Sequence, residues 1–225
     1  MFVLLSPGLA ALVVAVLANR SLAGIPRRRI AAWPLGLAAF GLELALTSTP
    51  LGRHPFGLSW GSPLWVGALL SLALVLARNA WLSPRGLRWA WSLAATGVLL
   101  NVVVVVANDG HMPQSQEARI AAGASVERVA GLASEPGWRN VAPMTETSRL
   151  AWLGDVVPEP AWLPLHNVMS LGDVLLAGGL AAVLYLATTP RSRGVPAPAS
   201  TTPMARNTDA SREQRDVQSA ILSSR

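Results

Sequence analysis

The chain reads as an all-α, polytopic membrane helix bundle with five transmembrane helices, and three observations predict it. Hydrophobic residues are 52% of the 225 and charged residues only 13%, against about a quarter charged in an average soluble domain. Five stretches reach or approach the roughly 20 apolar residues that cross a bilayer. Of the 18 basic residues, all of them arginine, 13 gather in two alternate connections and in the segment after the last stretch.

The spans are expected at about residues 2–18, 30–46, 62–77, 89–107 and 171–187. No basic residue precedes the first, and no clear small-x-small cleavage site follows it, so it is read as a retained span rather than a secretory signal. The third is short, but Trp60, Trp65, Trp81, Trp89 and Trp91 stand near the proposed ends, where interfacial aromatics sit.

Arginine placement sets the expected topology. The connection after the first span holds Arg20, Arg27, Arg28 and Arg29, and the one after the third holds Arg78, Arg85 and Arg88. The segment beyond Thr188 holds Arg191, Arg193, Arg206, Arg212, Arg215 and Arg225, whereas residues 47–61 contain only Arg53. The positive-inside rule puts the first three on the cytoplasmic side. The N-terminus is then outside and the C-terminus inside, as five spans require. The sequence pI of about 11.5 follows from this topology, and nucleic acid is not an expected partner. The expected address is the cell membrane, with the lipid bilayer as partner. Arginine without lysine, beside abundant Ala, Gly, Pro and Val, fits a GC-rich bacterial genome. The absence of cysteine removes disulfides, thiolate catalysis and cysteine metal sites.

Residues 1–190 are expected to form the bundle. Residues 191–225, rich in Arg, Pro, Ser and Thr, read as a disordered cytoplasmic tail. The long outer loop, 108–170, carries helical signals. Ser115 is placed to cap a turn through Ile120 that stops at Gly123, and Ser125 another through Leu132. Thr145 is placed to cap a helix through Leu153 that stops at Gly154.

Polar residues within the spans are few and costly, at about 2.5–3.5 kcal/mol for a charge at the bilayer centre. Glu43 shares a helical stripe with Ala32, Gly36 and Ala39, a small-residue face suited to helix contact, or else it reaches headgroup water. Asn101 shares a face with Ala94, Gly97 and Asn108 and is suited to a hydrogen bond across helices. The tripeptide Leu-Gly-Asp occurs at 153–155 and again at 171–173. Ser170 and Asp173 have the spacing of a capping box, which also sets Asp173 against the positive end of the helix dipole. Gly172, Gly178, Gly179 and Ala182 then permit close packing. Asp155 follows an apolar turn, precedes Pro158 and Pro160, and is flanked by Trp152 and Trp162. It is expected to cap a turn in a loop folded back on the bundle mouth.

All three histidines, His54, His111 and His166, fall on the outer side. The candidate site is therefore a polar cluster at the outer mouth: Glu43, Asn101, Asn108, Asp109, His111, Asp155, His166, Ser170 and Asp173. Their spacing matches no compact metal motif, so neither metal nor cofactor is expected. The favoured function is non-enzymatic, with the outer loop packed at the mouth as a surface for a small ligand or a protein partner. The alternatives are an outer-leaflet enzyme using Asp155, Asp173, His111 or His166, and a transporter or channel subunit with Glu43 and Asn101 along the path.

Three further strings are distinctive: Asn108-Asp109-Gly110-His111-Met112-Pro113, Thr147-Ser148-Arg149-Leu150 with Leu153-Gly154-Asp155, and Ser170-Leu171-Gly172-Asp173. On these the chain resembles a bacterial multi-pass membrane family of unknown function. Its members carry Asn-Gly-Gly-x-Met-Pro-Val, then Thr-Arg-Leu with Leu-Gly-Asp, then Ser-(Ile/Leu)-Gly-Asp opening the last helix. This chain departs at Asp109 (Gly), at Gln114 (Val) and at the inserted Ser148. The resemblance implies a shared layout over about residues 1–190 and a shared outer-loop feature. It implies no activity, substrate or site residue.

Overall fold

A computed structural model of the chain describes residues 14–18, 20–21, 30–131, 137–161 and 167–190. These are mostly helical. In chain order the elements are β1 (Arg20–Ser21), α1 (Trp33–Ser48), α2 (Pro55–Leu82), α3 (Arg85–Ala107), β2 (Met112–Gln114), α4 (Gln116–Ala121) and α5 (Val126–Gly131). They continue with β3 (Val141–Pro143), β4 (Asp155–Pro158), β5 (Val168–Ser170), α6 (Leu171–Ala187) and β6 (Thr189–Pro190).

Helices α1, α3 and α6 match the expected spans at 30–46, 89–107 and 171–187 to within a few residues. The expected first span, apart from a helical turn at 14–17, and the expected tail lie outside the described residues. Helices α2 and α3 are long and apolar enough to cross a membrane, while α1 and α6 are shorter apolar helices of 16 and 17 residues. Val102–Val106 is helical despite five consecutive β-branched residues. In an apolar setting a helix satisfies its own backbone, and that outweighs a few tenths of a kcal/mol of propensity.

Helix α2 overruns its expected start at residue 62 by seven residues. Pro55 supplies a helical φ at the first position, and the His54 ring accepts a hydrogen bond from the Phe56 N–H at 3.2 Å. Residues 50–53 form a 3-10 turn capped by Thr49. The expected outer connection, 47–61, thus shrinks to a tight corner. With 28 residues at 1.5 Å each, α2 is about 42 Å long against a hydrocarbon core of about 30 Å. Pro63 sits inside it.

Helix α3 is central, with α2 on one side and α6 on another, and α1 packs on α2. The α3–α6 seam is made of small residues. A Cβ on Gly97 would collide with the Gly172 carbonyl, and one on Gly179 would meet the Ala94 backbone N at 2.5 Å. Gly178, by contrast, faces open space. Ala90, Ala94, Trp91, Val98, Leu176 and Val183 fill the core around this seam. Trp65 and Trp91 are buried, so of the five tryptophans expected at interfaces only Trp60, Trp81 and Trp89 are exposed.

One end of the helices is tied by short links. β1 pairs antiparallel with β6, the Arg20 guanidinium donates to Thr188 and lies over the Tyr185 ring, and Asn79 bonds the Ala31 backbone through both side-chain atoms. The opposite end carries a cap built from residues 108–161 and 167–170. Its four-stranded sheet runs β3-β2-β4-β5, with β2 parallel to β3 and β4 and with β4 antiparallel to β5. The last strand turns directly into α6. Ser115 and Ser125 cap α4 and α5 as expected, and Gly123 ends the first of these turns at φ +101°.

The helix expected from Thr145 does not form. A 3-10 turn at Ala151–Leu153 stands in its place, preceded by Leu150 at φ +51°. The cause is Asn108, whose side chain accepts from the Arg149 N–H and donates to the Arg149 carbonyl, both at 2.8 Å. Those are the backbone groups a helix would have used.

The cap and helices share one apolar cluster: Leu46, Trp65, Val104 and Val105 from the helices, and Met112, Trp138 and Leu153 from the cap. Trp138 lies on Gly61, where any Cβ would overlap the indole. Its ring meets Trp65 edge-on at 6.0 Å, and its Nε1 donates to Ser62 at 2.9 Å.

Candidate functional site

The polar groups at the cap–helix junction form two adjoining networks. The first closes a ring between α3 and the start of α6. Ser170 Oγ donates to Asn101 Oδ1 at 2.9 Å, and Asn101 Nδ2 donates to Asp173 Oδ1 at 2.8 Å. Asp173 Oδ2 accepts the Ser170 N–H at 3.1 Å, and Ser170 Oγ accepts the Asp173 N–H at 2.9 Å. The capping box expected from sequence is therefore present, and Asn101 makes it an interhelical joint. A cap of this kind is worth about 0.5–2 kcal/mol, and an interhelical side-chain bond in an apolar setting averages about 0.6 kcal/mol. Gly172 permits the approach, because a Cβ there would strike the Asn101 side chain.

The second network lies one strand away. Asp155 opens β4 and is paired in register with Ser170 on one side and Gln114 on the other. Its carboxylate Oδ2 accepts from Gln114 Nε2 at 3.0 Å, and Gln114 Oε1 accepts from Arg119 Nη1 at 2.6 Å. Asp155 is 7% exposed. Burial, reinforced by the nearby Asp173 carboxylate, pushes its pKa up to about 7, while the Gln114 bond and Arg119 pull the other way. The turn-capping role expected for Asp155 is thus replaced by a buried place in a sheet. Burial first, then repulsion from Arg139 and Arg128, lowers the Arg119 pKa, with Asp155 opposing. The Arg119 Nε–H is buried and has no acceptor, a deficit of about 1–3 kcal/mol by the usual cost of an unsatisfied buried donor. Arg119 also lines a small cleft of about 30 Å³, together with Gln114, Ser115, Val129, Arg139 and Ala142 among others.

Of the nine residues expected at the outer mouth, Asn101, Ser170 and Asp173 touch one another and Asp155 adjoins them through its strand. Asn108 and His111 make their hydrogen bonds elsewhere, whereas Glu43 is near enough to Asp173 for the two charges to interact. Asn108 closes α3 and holds Arg149. Asp109 is exposed at φ +55°. The His111 Nδ1 pairs with the Arg139 carbonyl at 2.7 Å and its ring stands beside Trp138. Glu43 is half-buried on α1. His166 and Trp162 lie outside the described residues. No group of three or more metal-ligating side chains occurs among the described residues. Gln114, Arg119 and Trp138 were not singled out in the sequence. Gln114 carried one signal, as a polar residue where the resembled motif has Val.

These features define a class: a mostly helical protein with two helices fit to span a membrane and a small mixed α/β cap on the helix ends. The model of DUF5317, a family of unknown function, matches residues 31–185, which is more than two-thirds of the chain. The chain belongs to that family. The match begins just before α1 and ends within α6, so it takes in the four apolar helices and the cap. Searches of the curated proteins and of the solved structures give no match.

Proposed function

We propose that the chain is a multi-pass integral membrane protein whose cap, residues 108–170, stands on the outer face and serves as a ligand-binding surface. The observation that carries this is the seating of the cap. Asn108 and Ser170 tie it to α3, Trp138 ties it to α2 and Ser170 caps α6, and a small cleft lies beside Arg119. A cap fixed this firmly is suited to presenting its outer surface, with the small cleft beside Arg119, to a ligand. The outward placing of the cap rests on the charge at the two ends. Arg20, Arg78, Arg85 and Arg88 belong to the end tied by β1 and β6, whereas the cap mixes four arginines with seven acids. The positive-inside rule then faces the cap outward. The first span, which would complete five, rests on the sequence alone.

A carboxyl near neutrality would also suit proton transfer. However, the side-chain bond of Asp155 goes to an amide, and that of His111 goes to a backbone carbonyl. The enzyme reading therefore has less support. A path through Asn101 has less still, since that side chain is buried and bonded to both Ser170 and Asp173.

The absence of native cysteine makes the test direct. Single cysteines at Glu146 in the cap and at Arg78 at the other end are probed in whole cells with an impermeant maleimide. Labelling of Glu146→Cys without lysis, and of Arg78→Cys only after lysis, is expected. The reverse pattern sinks the proposal.

A further inference from the structure

We propose that the turn at residues 149–152 is a membrane anchor, which seats the cap in the headgroup region of the outer leaflet. This rests on the reading of the chain as membrane-spanning with an outward cap, and names the surface of the cap that meets lipid. Tryptophan exposure supplies the frame. Trp65, Trp91 and Trp138 are buried, whereas Trp33, Trp60, Trp81, Trp89 and Trp152 are exposed. The exposed ones divide between the two ends of the helices. Trp81 stands in the last turn of α2, Trp89 near the start of α3, and Trp33 opens α1 close to the bonds between Ala31 and Asn79. Trp60 stands at the cap end, beside the Gly61 on which Trp138 lies. Along α2, Trp60 and Trp81 are about 31 Å apart at 1.5 Å per residue, close to the hydrocarbon thickness of about 30 Å. Exposed indoles at that separation mark the two interfaces of a bilayer.

The same measure sets the height of the turn. Counted along α3 from Trp89, Asn108 lies about 28 Å away, at the outer boundary of the hydrocarbon. Its side chain accepts from the Arg149 N–H and donates to the Arg149 carbonyl, both at 2.8 Å, and the 3-10 turn that follows packs against α3. Residues 149–152 are thus held at the level where interfacial aromatics sit. The turn is also rigid. Leu150 has φ +51°, a left-handed conformation that a leucine keeps only where its surroundings impose it. Asn108 imposes it from one side and the Leu153 N–H, donated to the Leu150 carbonyl at 2.8 Å, from the other. Leu153 roots the turn in the apolar cluster shared with the helices, yet Trp152 is 67% exposed and Leu150 37%. An indole presented in this way at the boundary places its apolar body toward the acyl chains and its N–H toward water. Arg149 is exposed beside it, with an apolar stem and a charged head that reaches lipid phosphate. A protein partner would account for the exposure of Trp152 but not for its sharing the level of Trp60.

The test uses the full chain, free of native cysteine, in phosphatidylcholine nanodiscs. Trp152→Cys and Arg149→Cys place an environment-sensitive fluorophore on the turn. Trp60→Cys reports the outer ring on a helix, and Glu127→Cys reports the exposed side of α5. Helical circular dichroism confirms that each labelled chain is folded. Quenching is read with lipids spin-labelled near the headgroup or deep in the acyl chain, and with aqueous iodide. The expected result is quenching of Trp152→Cys by the shallow label, equal to that of Trp60→Cys and several-fold above both the deep label and Glu127→Cys. Arg149→Cys should respond to the shallow label and to iodide together. Quenching of both turn positions by iodide alone, while Trp60→Cys responds to lipid, overturns the anchor and leaves the membrane-spanning reading standing. Protection of the turn from every quencher places a protein there, a second copy or another chain, and also overturns it. Absence of lipid quenching at Trp60→Cys as well would instead sink the spanning reading, and the anchor with it.

Discussion

At the residue scale Asp155 carries the sharpest consequence. Its carboxyl rises from 3.8 to about 7 because the cap buries it and Asp173 lies nearby. Below about pH 4 the folded and unfolded chains both hold the proton. Between about 4 and 7 the folded chain keeps it and the unfolded chain loses it, so stability falls as pH rises through that window and then levels off. The full effect is at most about 4 kcal/mol. The thermal midpoint in detergent should therefore decline from pH 4.5 to 7.5. Asp155→Asn, a neutral side chain that still accepts from Gln114, should flatten that decline and exceed the wild type at pH 8. A slope unchanged in the variant would show that other groups set it. This role was not legible in the sequence. Ser170 and Asp173 were, because a capping box is a contact between residues three apart. The environment of Asp155 depends on register with Gln114 and Ser170, and local spacing does not encode register.

At the scale of elements, the helices were legible where an apolar run ended in its own signal. Helix α6 starts at its capping box, and α3 ends at Asn108. Helix α2 was underestimated because its first turns, Pro55–Gly61, are too rich in Gly and Pro for a span, yet they are held as helix by the His54 cap and by Trp138 on Gly61. The Thr145 helix was overestimated because Asn108, some 40 residues away, takes the backbone of Arg149. The small residues in α3 and α6 pointed to a seam, and there the sequence was informative. Gly172→Ala should separate that seam. Its methyl cannot fit beside Asn101 and the Gly97 carbonyl, and overpacking of this kind costs about 1–3 kcal/mol. Gly178→Ala, on the same helix but facing open space, should cost nothing and provides the control. Equal midpoints for the two variants would mean that the close α3–α6 approach is not present in the protein.

For the whole molecule, the question is whether cap and helices are one cooperative unit. Strands β2, β4 and β5 are too short to be stable alone, and small sheets need an apolar surface to rest on. Here that surface belongs to the helices: Met112, Trp138 and Leu153 share a cluster with Leu46, Trp65, Val104 and Val105. The described residues up to Pro190 also belong to a single compact unit. The cap should therefore not unfold before the helix ends that support it. Two probes can be followed on heating in detergent, one a fluorophore on a cysteine at Glu146 in the cap and the other helical circular dichroism. Their midpoints should coincide. Trp138→Ala, which removes the indole from Gly61 and Ser62, should lower both together by the equivalent of about 3–5 kcal/mol for a buried large-to-small change. A cap signal lost well below the helical transition would instead describe a tethered domain. In that case the small cleft beside Arg119 would have to be held by the cap alone.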